Sequence, residues 1–222
     1  GVPRGTNVIY DRADAAITTV EPDELPAETL TESRWFHTTG ITPALSPAAA
    51  ATTTALLRRA GEAGVTRSFD LNYRSKLWEP AEAREAYEDL FGHVDVLFVP
   101  RRDAREVLDR DGTAVEIAHG LATDHGFQTV VVTRGDEGAL ALTDGDVYEQ
   151  PVFEAETVDA IGTGDAFVAG FVAERLRGGD VSDALEWAAA TAAVKRTTDG
   201  DLAVTTRAEV ASVVDGGDEI SR

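Results

Sequence analysis

The sequence predicts an α/β fold: a doubly wound, mostly parallel sheet flanked by helices. Three observations lead there. Short apolar, β-branched runs such as "VDVLFVP" and "QTVVVTRG" alternate with helical stretches of ten or more residues, the pattern of βαβ units. At 222 residues and 43% hydrophobic composition, the chain can bury a full domain core. The polar, glycine-bearing clusters follow the apolar runs, at the strand ends where such sheets bind ligands.

The elements follow in order. "NVIYDR" and "AAITTV", within residues 7–20, are β-branched runs expected to pair as a hairpin across "ADA". "WFHTTGI" (35–41) reads as a strand entering a turn. "SPAAAATTTALLRRAGEAG" (46–64) has a Ser N-cap, Pro at the first helical position and Gly at its end, so it is a helix. "VTRSFDLN" (65–72) is a strand, and "EPAEAREAYEDLFG" (79–92) a helix with acids in its first turn. The buried-type strand 94–100 precedes helices at about 101–109 and 113–124. Strand 128–135 then leads into "GALALTDGDVYEQPVF" (138–153), where Asp-Gly marks a β-hairpin. Helices 163–177, 181–197 and 206–214 complete the chain.

Charge narrows the partners. Forty acidic residues stand against twenty basic ones, a formal net charge of −20, and only Lys76 and Lys195 are lysines. Such a field repels nucleic acid and anionic membranes, so neither is an expected partner. The excess is spread along the chain and reads as solvation in high salt, where screening removes much of the self-repulsion. No run reaches membrane-span length and no secretory leader is visible, so a cytoplasmic location is expected. Zero cysteines exclude disulfides and thiolate metal sites. The chain has no methionine and opens on Gly1, so it is expected to be a fragment or a processed chain.

Three clusters carry chemistry. In "TVDAIGTGDAFVAGF" (157–171), Gly162, Thr163 and Gly164 stand at the mouth of a helix. Glycines let backbone N–H groups converge on an anion, and the helix dipole adds to the attraction. Asp165, on the first turn, would face the same space. The plain alternative is a turn with an N-terminal acid. In "TRGDEGAL" (133–140), Thr133, Gly135 and Gly138 form a second loop that a ligand can approach, or a simple strand-to-hairpin turn. In "FDLNYRSKLW" (69–78), Asp70, Asn72 and Arg74 alternate off a strand end, where a guanidinium can hold a carboxylate in two parallel bonds. The plain alternative is a surface loop with a salt bridge. His37, His93, His119 and His125 show no metal-ligand spacing, and Trp35 and Trp78 read as packing residues.

"DAIGTGDAFVAGF" resembles the C-terminal signature of the PfkB, or ribokinase-like, carbohydrate kinases, written D-T-x-G-A-G-D. "TRGDEGAL" is similar to that family's nucleotide loop. "HTTGITPALSP" (37–47) together with "FDLNYRSKLW" resembles its 2-keto-3-deoxygluconate kinases most. The likeness runs from about residue 7 to 205. It implies a ribokinase-like core over 23–222, a β-lid remnant over 1–22, and a family N-terminal portion absent from this chain. It also implies ATP and Mg2+ as cofactors, a sugar acid as the small-molecule partner, and phosphorylation of 2-keto-3-deoxygluconate at its 6-hydroxyl. With the acidic composition, a halophilic archaeal source is expected; homo-oligomerisation is left open.

Position by position, the resemblance assigns Asp165 as catalytic base and Gly162, Thr163 and Gly164 as the anion hole. Thr133, Gly135 and Gly138 fall in the ATP loop, Asn72 near the phosphates, and Arg74 between phosphates and substrate. Tyr10, Arg12 and Asp201 match substrate contacts. The family's N-x-x-E motif, which organises magnesium and phosphates, stands here as "PRRD": Pro100 replaces the asparagine, and Asp103 the glutamate, acting on the metal indirectly. Thr163 replaces the usual alanine. Three other readings stay open: a fructose, ribose or nucleoside kinase of the same family, a non-catalytic nucleotide- or sugar-binding relative, and a dinucleotide-binding oxidoreductase. The last lacks the G-x-G-x-x-G that its chemistry requires.

Overall fold

A computed structural model of the chain describes residues 15–216. In order along the chain come α1 (Ala27–Thr31), β1 (Trp35–Thr39), α2 (Ile41–Ala44), α3 (Pro47–Glu62), β2 (Thr66–Asp70), α4 (Pro80–Phe91), β3 (Val96–Pro100), α5 (Arg101–Glu106), α6 (Ala114–His125) and β4 (Thr129–Thr133). They are followed by β5 (Ala139–Thr143), β6 (Asp146–Gln150), α7 (Thr163–Arg177), α8 (Val181–Arg196) and α9 (Arg207–Val214). The six strands form one sheet in sequence order. β1 to β4 run parallel; β5 is antiparallel to β4, and β6 is antiparallel to β5.

Alternation along the central strands explains the two helical layers. Leu97 and Val99 of β3 point into a core with Tyr87 of α4 and Ile117 and Leu121 of α6. Val96 and Phe98 point the other way, onto Phe167 and Phe171 of α7 and Ala184 and Leu185 of α8. α9 is clamped to this second layer. Arg207 lies 3.7 Å over the Trp187 ring and pairs with the buried Glu174 at 2.7 Å. Among the described residues, no helix is long and apolar enough to cross a membrane.

Local signals hold where the sequence is explicit. The Ser46 hydroxyl accepts the Ala49 N–H at 3.0 Å and starts α3. Asp144 and Gly145, with φ of 52° and 88°, make the left-handed turn between β5 and β6. Helix α5 is shorter than expected, ending at Glu106 before Asp109 takes a left-handed φ of 49°.

The N-terminal hairpin needs correction where it can be seen. Ala16–Thr19 is a 3-10 turn, not a strand, and Pro22–Glu24 is another. Its partner run at 7–12, with Tyr10 and Arg12, lies outside the described residues. The reason is tertiary. The Thr18 carbonyl accepts the Ser46 hydroxyl at 2.5 Å, and the Val20 carbonyl accepts the Thr52 hydroxyl at 2.7 Å. Side chains of α3 thus satisfy carbonyls that a strand neighbour would have taken, overriding β-propensity.

Candidate active site

Parallel strands β2, β3 and β4 end along one edge of the sheet, with Asp70 opposite Phe98 and Pro100 opposite Thr133 in register. The loop after β2 is held from several sides. The Gly40 N–H donates to the Asp70 carbonyl at 2.8 Å, and the buried Tyr87 hydroxyl donates to the Leu71 carbonyl at 2.8 Å. Asp103 has no exposed surface; its carboxylate accepts the Tyr73 N–H at 3.2 Å and pairs with Arg102 at 2.7 Å. The structure therefore places Asp103 beneath the loop and not in an open cleft. Burial pushes its pKa up.

This bracing holds Asn72 in an unusual conformation for a non-glycine residue, φ +39°. The Asn72 N–H donates to Asp70 Oδ1 at 3.2 Å, while its side-chain amide reaches Asp165 Oδ1 at 3.4 Å. Two residues 93 positions apart meet at the strand edge. Burial raises the Asp70 pKa to about 7, against the Asn72 N–H. The nearby carboxylates of Asp165 and Asp103 push the same way as burial, and the Arg74 charge opposes them. Arg74 also donates to the Tyr73 carbonyl at 3.2 Å.

Asp165 is exposed on the first turn of α7. The N-cap, Gly162, takes φ +78° and offers no side chain to cap the helix, so the amides of Gly164 and Asp165 remain for a ligand. Thr163 turns back: its hydroxyl donates to the Ala160 carbonyl at 2.7 Å and its N–H to the same oxygen at 3.3 Å. Thr163 therefore shapes the loop more than it offers donors. A Cβ at Gly162 would overlap the carbonyl oxygen of Asp201 and lie 3.2 Å from its carbon. The Asp201 backbone thus abuts the turn, with its side chain exposed.

Thr133, Gly135 and Gly138 line a cleft of about 320 Å3 together with Thr163 and Gly164. Gly138 is required there: at φ +84°, an added Cβ would overlap the Gln150 carbonyl and stand 2.8 Å from Pro151 Cα. The remaining wall went unread in the sequence. Phe153, Phe167, Ala189, Ala192 and Ala193 make it apolar. Its only signal was "WAAATAAV" (187–194), a run of small residues that reads equally as helix packing. Across the 133–138 loop lies a second cleft, lined by Arg101, Arg102, Arg105 and Arg134. Glu106 and Glu137 share this hollow, and each of the four arginines is ion-paired: Arg101 with Glu137, Arg102 with Asp103, Arg105 with Asp111 and Arg134 with Glu149. Among the described residues, no group of three or more His, Cys, Asp or Glu is arranged to hold a metal ion.

The site can therefore receive a flat apolar group in the slot, an anion at the start of α7, and a hydroxyl beside Asp165. Known proteins resemble this chain over most of its length. The family model described as pfkB family carbohydrate kinase matches residues 2–207. A 2-dehydro-3-deoxygalactonokinase of Haloferax volcanii is 59% identical over 216 residues, 97% of this chain and 68% of that protein. A 2-dehydro-3-deoxygluconokinase of Thermoproteus tenax is 36% identical over 87% of this chain and 58% of its own length. The crystal structure of 2-dehydro-3-deoxygluconokinase from Thermotoga maritima superposes with a TM-score of 0.86 at 30% identity, covering 95% of this chain and 68% of that one. The chain thus spans about 58–68% of the length of these proteins. With the signature, the sheet and the cleft in agreement, this chain belongs to the pfkB family of carbohydrate kinases.

Proposed function

We propose that the chain forms the nucleotide and phosphoryl-transfer core of an ATP-dependent sugar-acid kinase that acts on the terminal hydroxyl of a 2-keto-3-deoxy aldonate. One observation carries the reading: Asn72 and Asp165 meet at the strand edge where the 133–138 loop and the start of α7 share a cleft. The adenine and ribose lie in the slot against α8. The γ-phosphoryl sits on the amides of Gly164 and Asp165, which stabilise its developing charge. Asp165 aligns the acceptor hydroxyl and takes its proton as the oxygen attacks phosphorus and the bond to ADP breaks. Asn72 fixes the Asp165 carboxylate. Magnesium supplies charge neutralisation when bound with the nucleotide; Asp103 acts on that region only through the loop it holds. Pro100 lacks an amide side chain, so it cannot contact the phosphates as the family's asparagine would.

Arg74 and Arg12 receive the acid's carboxylate, with Tyr10 and Asp201 as further sugar contacts. The motif strings favour the gluco epimer. The 59% identity to a protein named for the galacto epimer favours the second reading, in which C4 has the opposite configuration. The acidic surface with almost no lysine fits a salt-rich cytoplasm.

ADP release measured in molar salt, across both epimers, ribose and fructose, tests the proposal. Turnover of one or both acids well above the neutral sugars is expected. Turnover of neutral sugars alone would point to another member of the family. Tight ATP binding with no ADP from any acceptor would leave a binding protein.

A further inference from the structure

Asp70 ends β2, and its main chain is fixed on both sides. It stands in register with Thr39 of β1 and Phe98 of β3, and its carbonyl accepts the Gly40 N–H at 2.8 Å. The carboxylate is therefore carried on a rigid element, and it is buried, at 8% exposure. Burial and the neighbouring Asp165 and Asp103 charges all disfavour a negative charge at this position. What the carboxyl does there is local: Oδ1 accepts the Asn72 N–H at 3.2 Å, two residues on.

That bond closes a turn around a residue in a conformation it would not hold alone. Asn72 stands at φ +39°, and a left-handed non-glycine residue persists only where its surroundings over-determine it. Three consecutive backbone amides are each held. The Leu71 N–H donates to the Phe98 carbonyl at 3.1 Å, the Asn72 N–H to Asp70, and the Tyr73 N–H to Asp103 Oδ2 at 3.2 Å. Of these, the Asp70 bond acts on Asn72 itself. The turn sends the Asn72 side chain across to α7, where its amide meets Asp165 Oδ1 at 3.4 Å. At an ordinary negative φ the Asn72 side chain would take another direction, and the amide would leave Asp165.

We propose that Asp70 is a positioning residue for phosphoryl transfer: its Oδ1 locks the left-handed turn at Asn72, and through the Asn72 amide it sets the direction of the Asp165 carboxylate. This rests on the kinase reading above. The task needs an acceptor oxygen and not a charge. An amide at position 70 should therefore serve, and an apolar side chain of similar size should not. Asn72→Gly removes the amide that reaches Asp165, while glycine takes a positive φ without help. In that background Asp70 has nothing left to position.

The test is steady-state ADP release in molar salt from full chains of wild type, Asp70→Asn, Asp70→Leu, Asn72→Gly and the double variant that combines the last two. Asp70→Leu should lower kcat by about tenfold or more, with KM for ATP changed less than about threefold, because a misplacement of about 1 Å at a reacting centre can cost about 10²-fold. Asp70→Asn should stay within about threefold of the wild-type kcat. Adding Asp70→Leu to Asn72→Gly should lower kcat by less than about twofold further, the non-additivity of residues that act in one chain. A role in stability alone predicts equal losses in both backgrounds, and that result overturns the proposal. So does a kcat for Asp70→Leu within about threefold of wild type, or a loss of about tenfold in Asp70→Asn. If Asp70→Leu does not fold, Asp70→Ala replaces it in the cycle, and the Asp70→Asn outcome stands unaffected. If wild type releases no ADP from any acceptor, the kinase reading fails by itself, and crystal structures of wild type and Asp70→Leu decide. Asn72 should then leave positive φ in the variant and withdraw its amide from Asp165; an unchanged Asn72 overturns the proposal.

Discussion

Replacing Gly162 with alanine isolates the phosphate turn. Two costs follow from the structure. The residue sits at φ +78°, where an L side chain costs about 1–2 kcal/mol. For a chain of this length, each kcal/mol lowers the melting temperature by about 2–4 °C, so a fall of roughly 2–8 °C is expected. The added methyl would also overlap the Asp201 carbonyl, which is backbone and cannot rotate aside. The turn or the 198–201 segment must retreat by roughly 1 Å, and a displacement of that size at a reacting centre costs about 10²-fold in rate. Gly164→Ala is the matched control. Gly164 has an ordinary helical φ, and nothing lies within 4 Å of an added Cβ. Alanine there should leave melting unchanged or raise it by up to about 1 kcal/mol of stability. It should still depress turnover, because the methyl occupies space assigned to the phosphoryl group. The assay is coupled ADP release beside differential scanning calorimetry. Wild-type turnover in a folded Gly162→Ala protein would refute the geometry, and full activity in Gly164→Ala would remove the phosphate from that space.

Asp165→Asn should lower kcat by about 10²- to 10⁴-fold with ATP affinity nearly unchanged, since a carboxamide keeps the shape but cannot take a proton; steady-state kinetics beside nucleotide titration separates the two. Arg74→Ala should raise KM for sugar acids far more than for any neutral sugar accepted, and equal losses on both would withdraw the carboxylate contact. Asp70 predicts a pH effect. Its folded pKa of about 7 lies above its ordinary value of 3.8, so the folded state binds the extra proton between those limits. Its contribution to stability is therefore full below pH 3.8 and declines as pH rises towards 7. Asp70→Asn should match wild type near pH 3.5 and exceed it at pH 7 by on the order of a few kcal/mol, at about 1.4 per pKa unit. Denaturant unfolding across that range checks this, and a pH-independent difference would sink it. With a net charge of −20, stability should also rise from dilute buffer to molar salt as the Debye length falls from about 10 Å at 0.1 M to about 3 Å at 1 M; a fold equally stable in both would contradict the high-salt reading.

The sequence by itself determined the layered α/β class, the span of α7, the Ser46 cap, the Asp144–Gly145 turn and the two glycine loops. Each is written within a few residues, because a cap, a left-handed turn or an alternating apolar face is decided by nearest neighbours along the chain. Tertiary structure decided the rest. It turned residues 16–19 into a 3-10 turn, because the hydroxyls of Ser46 and Thr52 claim the adjacent carbonyls. It buried Asp103, to which the resemblance assigned an indirect role at magnesium, beneath the loop after β2, set Asn72 against Asp165, and made an alanine run on α8 into a cleft wall. It enclosed Lys195, which in the linear chain is only a cation in a helix's last turn. These outcomes depend on which surfaces exclude water when distant segments pack, and no local pattern records that.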